Sequence, residues 1–299
     1  MKLFPNPKTL IFSKEKMNSK KISKVVSSFD EHFNNLLYQM FEVNQKEGML
    51  LIIEKSDDIT NDEGYKIKIE KDVITIVAKQ PNGAFYGLIT LRDILNSDNE
   101  MCLEIEDYPD LTVRGIMLDI SRSKVPTLDT LKELVVMFAT LRYNHLELYI
   151  EGFSFEYQSF RHLLNDKNYL CLKDYLELEK FAQDYYIDFV PNQNGFGHMS
   201  DWLAIDEYKG LAECENGFDI WGSHPAPSTL DPTNEESVNL VKKMYRDMLP
   251  YTSSRYFNMN FDEPYELGHG KSWKKVQETS IEEVYIEYFN ILSDDVRKY

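Results

Sequence analysis

From Val113 to Tyr299, strand-like apolar segments alternate with amphipathic helical ones. No other feature restricts the chain's fold so tightly. Residues 113–120 form a strand candidate, and Pro126-Thr127 opens a helix with Leu128, Leu131, Leu134, Val135 and Phe138 at helical spacing. Residues 144–151 are a second strand, 175–185 a second helix, 187–191 a third strand and 255–262 a fourth. Thr233 and Glu236 have the spacing of a capping box ahead of Val238, Val241, Met244, Tyr245 and Met248, and Pro250 ends that helix. Ser280 and Glu283 repeat the cap before Val284, Tyr288, Phe289 and Leu292. A βαβα order implies an α/β fold with a parallel sheet and right-handed crossovers.

The first part of the chain has a different rhythm. Val25, Val26, Phe29, Phe33, Leu36, Leu37 and Met40 recur three or four apart and predict one helix. Residues 50–54 predict a strand, and 65–70 with 73–78 predict a hairpin turning at Lys71-Asp72. A helix follows over 83–95, with Phe85, Leu88, Leu91 and Leu95 on one side. The expected organisation is a small non-catalytic α+β domain over 1–110, followed by a second domain over 111–299. That second stretch holds four βα units. A closed (β/α)8 TIM barrel needs eight strands and typically about 250 residues, so 111–299 matches only its first half.

Charge and cysteine usage narrow the partners. Lys and Arg number 33 against 50 Asp and Glu, a net charge of −17, and this field repels nucleic acid and anionic membrane. The longest wholly apolar run is residues 134–139, far short of the roughly 20 needed to span a bilayer. The start, Met1 to Pro7, has no apolar stretch of secretory length, so a cytoplasmic location is expected. Cys102, Cys171 and Cys214 form no C-x-x-C pair, so neither zinc nor a redox dithiol is expected. Phosphate-loop, dinucleotide, nucleophile-elbow and zincin motifs are missing from the sequence.

Chemistry-bearing residues collect at the C-terminal ends of the strands: Asp119, Glu151, His198, Asp262 and Glu263. That end is the catalytic face of a β/α barrel. Neighbouring strand residues point to opposite faces, so the backbone must bend if Asp262 and Glu263 are to share a site. Two carboxylates in one hollow push their pKa values apart, which leaves one ionised and lets the other hold a proton as a general acid. Asn192, Gln193, Asn194 and His198, with Gly195 and Gly197 among them, suit a ligand with many hydroxyls. Arg114 and Arg122 flank the first strand, and a guanidinium fork can bind vicinal hydroxyls or pair with a carboxylate such as Asp119. Trp202, Trp221, Trp273, Tyr149 and Tyr157 are expected mostly in the core.

Four segments in this order resemble glycoside hydrolase family 20, the β-N-acetylhexosaminidases: 107–122, 142–146, 190–198 and 258–263. Residues 82–88 and the helix after them are similar to the domain that precedes the family's barrel, and 266–272 resemble a bacterial branch. The resemblance implies hydrolysis of terminal β-linked N-acetylhexosamine by a substrate-assisted retaining mechanism, without cofactor or metal. By position it makes Glu263 the general acid/base, and Asp262 the residue that holds the acetamido group. Arg114 would bind the sugar's 3- and 4-hydroxyls, His198 would sit behind Glu263 with Glu151 as its acidic partner, and Asn194 would join the substrate-binding set. Phe261 stands where the family usually has a small residue, and Glu151-Gly152 keeps one acid where the second strand commonly ends in two. The implied partner is an N-acetylhexosamine-containing glycan, with no nucleic acid and no membrane. An alternative is a catalytically incomplete half-barrel that only binds carbohydrate or is a remnant. Such a half-barrel is expected to self-associate or to be completed by another polypeptide. A third reading keeps the barrel but changes the chemistry, with a nucleophile on a later strand.

Overall fold

The computed structural model describes residues 1–43, 46–122 and 124–299, which divide into two units. One is Met1–Arg114 with Thr140–Arg142; the other is Gly115–Ala139 with Tyr143–Tyr299. The first unit contains β1 (Thr9–Lys16), β2 (Ile22–Ser27), α1 (Glu31–Met40), β3 (Met49–Lys55), β4 (Tyr65–Ile69), β5 (Val73–Ala78), α2 (Pro81–Asn96) and β6 (Met101–Asp107). The second contains β7 (Gly115–Asp119), α3 (Leu128–Thr140), β8 (His145–Tyr149), α4 (Leu172–Asp184), β9 (Asp188–Val190), α5 (Ser200–Leu203), α6 (Glu235–Met248), α7 (Trp273–Glu278) and α8 (Ile281–Val296). Among the described residues no helix is long and apolar enough to cross a membrane.

The six strands of the first unit form one sheet in the order β1-β6-β4-β5-β3-β2. In β4 the alternation is strict: Tyr65, Ile67 and Ile69 are buried, while Lys66 and Lys68 face out. The two lysines pair across the strand boundary with Glu106 (3.4 Å) and Glu104 (3.8 Å) of β6. α2 packs on β4 and β5, burying Phe85, Leu88 and Leu91. The single helix expected from Val25 to Met40 is in fact two elements. Val25 and Val26 lie in β2, paired in parallel with Leu51 and Ile52 of β3. The helix begins only after Asp30, whose carboxylate accepts from the Phe33 amide at 2.9 Å. Branched side chains at 25 and 26 suit a pleated strand, and an Asp cap marks the true start.

In the second unit β7, β8 and β9 are parallel neighbours, with Gly115 opposite His145, Asp119 opposite Tyr149, and His145 opposite Asp188. α3 joins the first pair and α4 the second. The cap of α6 falls one residue later than its capping-box spacing suggested. Asn234 accepts from the Glu236 amide at 2.9 Å, while Thr233 gives its hydroxyl to Asp231. Pro250 lies in the tight turn that ends that helix. Ser280 caps α8 as expected, accepting from Glu283 at 3.1 Å.

The fourth strand, expected over 255–262, is reduced to a single parallel bridge between Asn192 and Asn258. Asn260, Phe261 and Glu263 take φ of +57°, +59° and +45°, which is left-handed backbone that no strand can contain. β7 is unusual in another way. Parallel strands are normally covered on both faces, yet Met117 is 55% exposed.

Candidate active site

The second unit brings the strand-end residues of three segments together. β8 runs out into Glu151, β9 into the loop that ends at His198, and the bridged segment into Asp262 and Glu263. His198 stands between them. Its Nε2 is 3.3 Å from Asp262 Oδ2 and 3.3 Å from Glu263 Oε2, and its Nδ1 is 3.6 Å from Glu151 Oε2. Both carboxylates of the pair are about half exposed, whereas His198 and Glu151 are mostly covered.

The left-handed residues explain how adjacent acids face one place. A strand would send Asp262 and Glu263 to opposite sides; the turns at 260, 261 and 263 rotate them to the same side. Left-handed backbone in non-glycine residues costs about 1–3 kcal/mol each unless the surroundings enforce it. Here the Phe261 ring is buried among Phe196, Tyr288 and Phe289, with centroids 5.5 Å away in each case. Tyr285 donates its hydroxyl to the Phe261 carbonyl at 3.1 Å. The large residue that departs from the family's pattern is thus an anchor to α8. On the other side Gly197 allows close approach, since a Cβ there would lie 2.0 Å from the Asp262 carbonyl oxygen.

Arg122 joins this cluster. It reaches Asp119 at 2.7 Å, Glu151 at 3.4 Å and His198 Nδ1 at 3.4 Å, and its guanidinium lies 5.3 Å over the Tyr149 ring. Burial pushes the Glu151 carboxyl above its usual range, against the opposing pull of His198 and Arg122. Burial would also raise Asp119, but hydrogen bonds from Ser121 and Arg122 outweigh it and hold that carboxyl low. Burial and the charge of Glu151 push the Tyr149 phenol upward.

One residue assigned to the substrate from the sequence lies elsewhere. Arg114 precedes β7 at its N-terminal end, opposite the end that carries Asp119. Its guanidinium is bound to Glu63 at 2.7 and 2.9 Å and to the carbonyls of Leu111 and Arg142, all within the first unit. The guanidinium beside Glu151 and His198 is that of Arg122. Asn194 is fully buried and donates to the Tyr149 hydroxyl at 2.7 Å, so it reaches the cluster through that ring. Sequence reasoning also missed a layer beneath the site. Glu147 accepts from Asn192 at 2.7 Å and from Asn258 at 2.8 Å, tying the bridged segment to β8. The available signal was an acid in the middle of a buried strand, where a charge persists only when it is paired.

Among the described residues, His198, Asp262 and Glu263 each offer a ligand atom within 4.8 Å of the others, a spacing that a cation could use. The same grouping, two carboxylates beside one imidazole, is also one that can pass a proton or accept hydrogen bonds.

The chain matches two family profiles, "Glycosyl hydrolase family 20, domain 2" over residues 1–108 and "Glycosyl hydrolase family 20, catalytic domain" over 111–290. It is 27% identical over 224 residues to beta-hexosaminidase 1 of Coccidioides posadasii, covering 68% of this chain and 37% of that one. It is 26% identical over 236 residues to beta-hexosaminidase subunit A2 of Dictyostelium discoideum, covering 72% and 41%. In fold it is similar to the Flavobacterium johnsoniae chitobiase, with a TM-score of 0.81, 20% identity, and coverage of 99% of this chain and 51% of that one. The exo β-N-acetylglucosaminidase of Vibrio harveyi, solved with N-acetylglucosamine, gives a TM-score of 0.84, 18% identity, and coverage of 99% and 53%. The chain therefore spans about half the length of those solved structures, and less of the curated relatives.

Proposed function

The chain belongs to glycosyl hydrolase family 20, and on that premise we propose that the cluster around His198 is the acid-bearing side of a site that hydrolyses terminal β-linked N-acetylhexosamine from glycosides. Glu263 protonates the glycosidic oxygen as the C–O bond breaks. Asp262 accepts a hydrogen bond from the acetamido N–H and aims that group, whose carbonyl oxygen attacks the anomeric carbon to give an oxazolinium ion. Glu263, now a carboxylate, takes a proton from water, which opens the ring with net retention. Arg122, in place of Arg114, holds the ring hydroxyls. His198, braced by Glu151, orients the acidic pair. One observation carries this reading: both carboxylates lie at 3.3 Å from the same imidazole nitrogen.

The test is turnover of an aryl β-N-acetylglucosaminide by the protein extended through the remaining βα units. Glu263→Gln should lower kcat by about 10²–10⁴-fold. Unchanged turnover in that variant would refute the assignment. Inhibition by a thiazoline analogue of the acetamido sugar separates this mechanism from a barrel glycosidase that uses its own nucleophile.

A second reading is favoured by the exposed face of β7: the 299-residue chain alone is catalytically incomplete and binds sugar, associates with copies of itself, or is completed by another polypeptide. Sugar binding without turnover by this chain is its expected signature.

A further inference from the structure

The loop after His198 carries an aromatic residue that the chemistry described so far does not use. Ile220 and Ser223 exchange two backbone hydrogen bonds of 3.0 Å each, closing a two-residue hairpin whose tip is Trp221-Gly222. Both tip residues have positive φ, +51° and +77°, the conformation of a type I′ turn. Asn-Gly is the favoured pair there. A Trp in the first position is strained, and burial does not offset the strain, because the residue is 78% exposed. The base of the loop is braced nonetheless. His224 binds Asp219 through Nδ1 and the Asn216 carbonyl through Nε2, both at 2.7 Å. The indole is therefore held out on a prepared support.

It is held against Tyr265. The two rings meet edge to face with centroids 4.8 Å apart. Tyr265 follows Glu263 by two residues, and its amide donates to the Glu263 carbonyl at 2.8 Å. A general acid delivers its proton to the oxygen of the departing group, so the surface that continues outward from Glu263 is the surface the departing group meets.

We propose that Trp221 and Tyr265 form a stacking platform for the leaving-group sugar, which makes them specificity-determining residues for β-linked oligosaccharides over simple alkyl glycosides. The ligand class is a pyranose with an apolar C–H face, which packs on a rigid amphipathic ring at little entropic cost. The choice of ligand rests on the hydrolase reading; the existence of the platform rests on the loop geometry alone.

The experiment is a saturation-transfer NMR titration of the 299-residue chain with N,N′-diacetylchitobiose, read on the sugar protons. Trp273→Phe serves as the background, so that Trp221 is the exposed indole beside the buried Trp202. Saturable binding is expected, weakened about fivefold or more by Trp221→Ala or Tyr265→Ala, and kept within about threefold by Trp221→Phe. No saturable binding, or binding that Trp221→Ala leaves unchanged, overturns the platform. The hydrolase reading is decided separately by the Glu263→Gln turnover assay: disaccharide binding at Trp221 without turnover supports the platform alone, and turnover without binding at Trp221 supports hydrolysis alone.

Discussion

Gly197 packs against the carbonyl of Asp262 so closely that a methyl group would collide with backbone, which cannot swing aside as a side chain would. Gly197→Ala is expected to cost about 1–3 kcal/mol in urea denaturation and to move the acidic pair off His198; wild-type stability in that variant would contradict the geometry. The two arginines that flank β7 present a different lesson. Arg114 and Arg122 are chemically identical in the sequence, and only the direction of the strand between them separates a structural ion pair from a guanidinium in the His198 cluster. Arg114→Ala should destabilise the first unit by roughly 3 kcal/mol, because Glu63 would be left mostly buried without its cation. Arg122→Ala should leave stability nearly unchanged and abolish sugar binding in a calorimetric titration. The reverse pattern would restore Arg114 to the site. Asp262, Glu263, His198 and Glu151 could be found as polar residues at strand ends. The Asn194 and Glu147 layer could not, because which amide faces a ligand and which faces a neighbour depends on packing that spacing does not encode.

Among the elements, legibility followed the strength of the local signal. β4 and β5 alternate without exception, and Ser280 caps α8, so both were readable. β2 was not, because its two valines fall in phase with the apolar face of α1 and imitate one longer helix. The segment before Asp262 reads as a strand by composition, yet left-handed Asn260 and Phe261 break it, and the support for Phe261 comes from aromatic rings of α8 far along the chain. Removing the α8 cap with Ser280→Ala should therefore cost about 1 kcal/mol, measured by thermal melting. The hairpin that carries Trp221 has its own pH dependence. Both His224 nitrogens face acceptors, so the imidazolium is the form that satisfies them. The Asp219 hydrogen bond first, and the Asn216 carbonyl next, raise its pKa above the ordinary 6.5. A raised value means the brace is complete below about pH 6.5 and is lost as pH rises through the folded-state value. Amide exchange at Ile220 and Ser223 should accelerate over that window, and Asp219→Asn should move the midpoint down; exchange independent of pH-driven His224 titration would contradict the brace.

For the molecule as a whole, the open face of β7 competes with a net charge of −17. Among the described residues β7 is paired on one edge only, and its other edge, with Met117 uncovered, favours association while like charge opposes it. Raising salt from about 0.01 M to 1 M shortens the screening distance from roughly 30 Å to 3 Å. Light scattering should then show association that grows with both salt and protein concentration, and a monomer unchanged across that range would refute it. The same edge can act as a template, because the backbone groups along it can accept a further strand. A short β-forming peptide in excess should therefore cap the margin and compete with self-association.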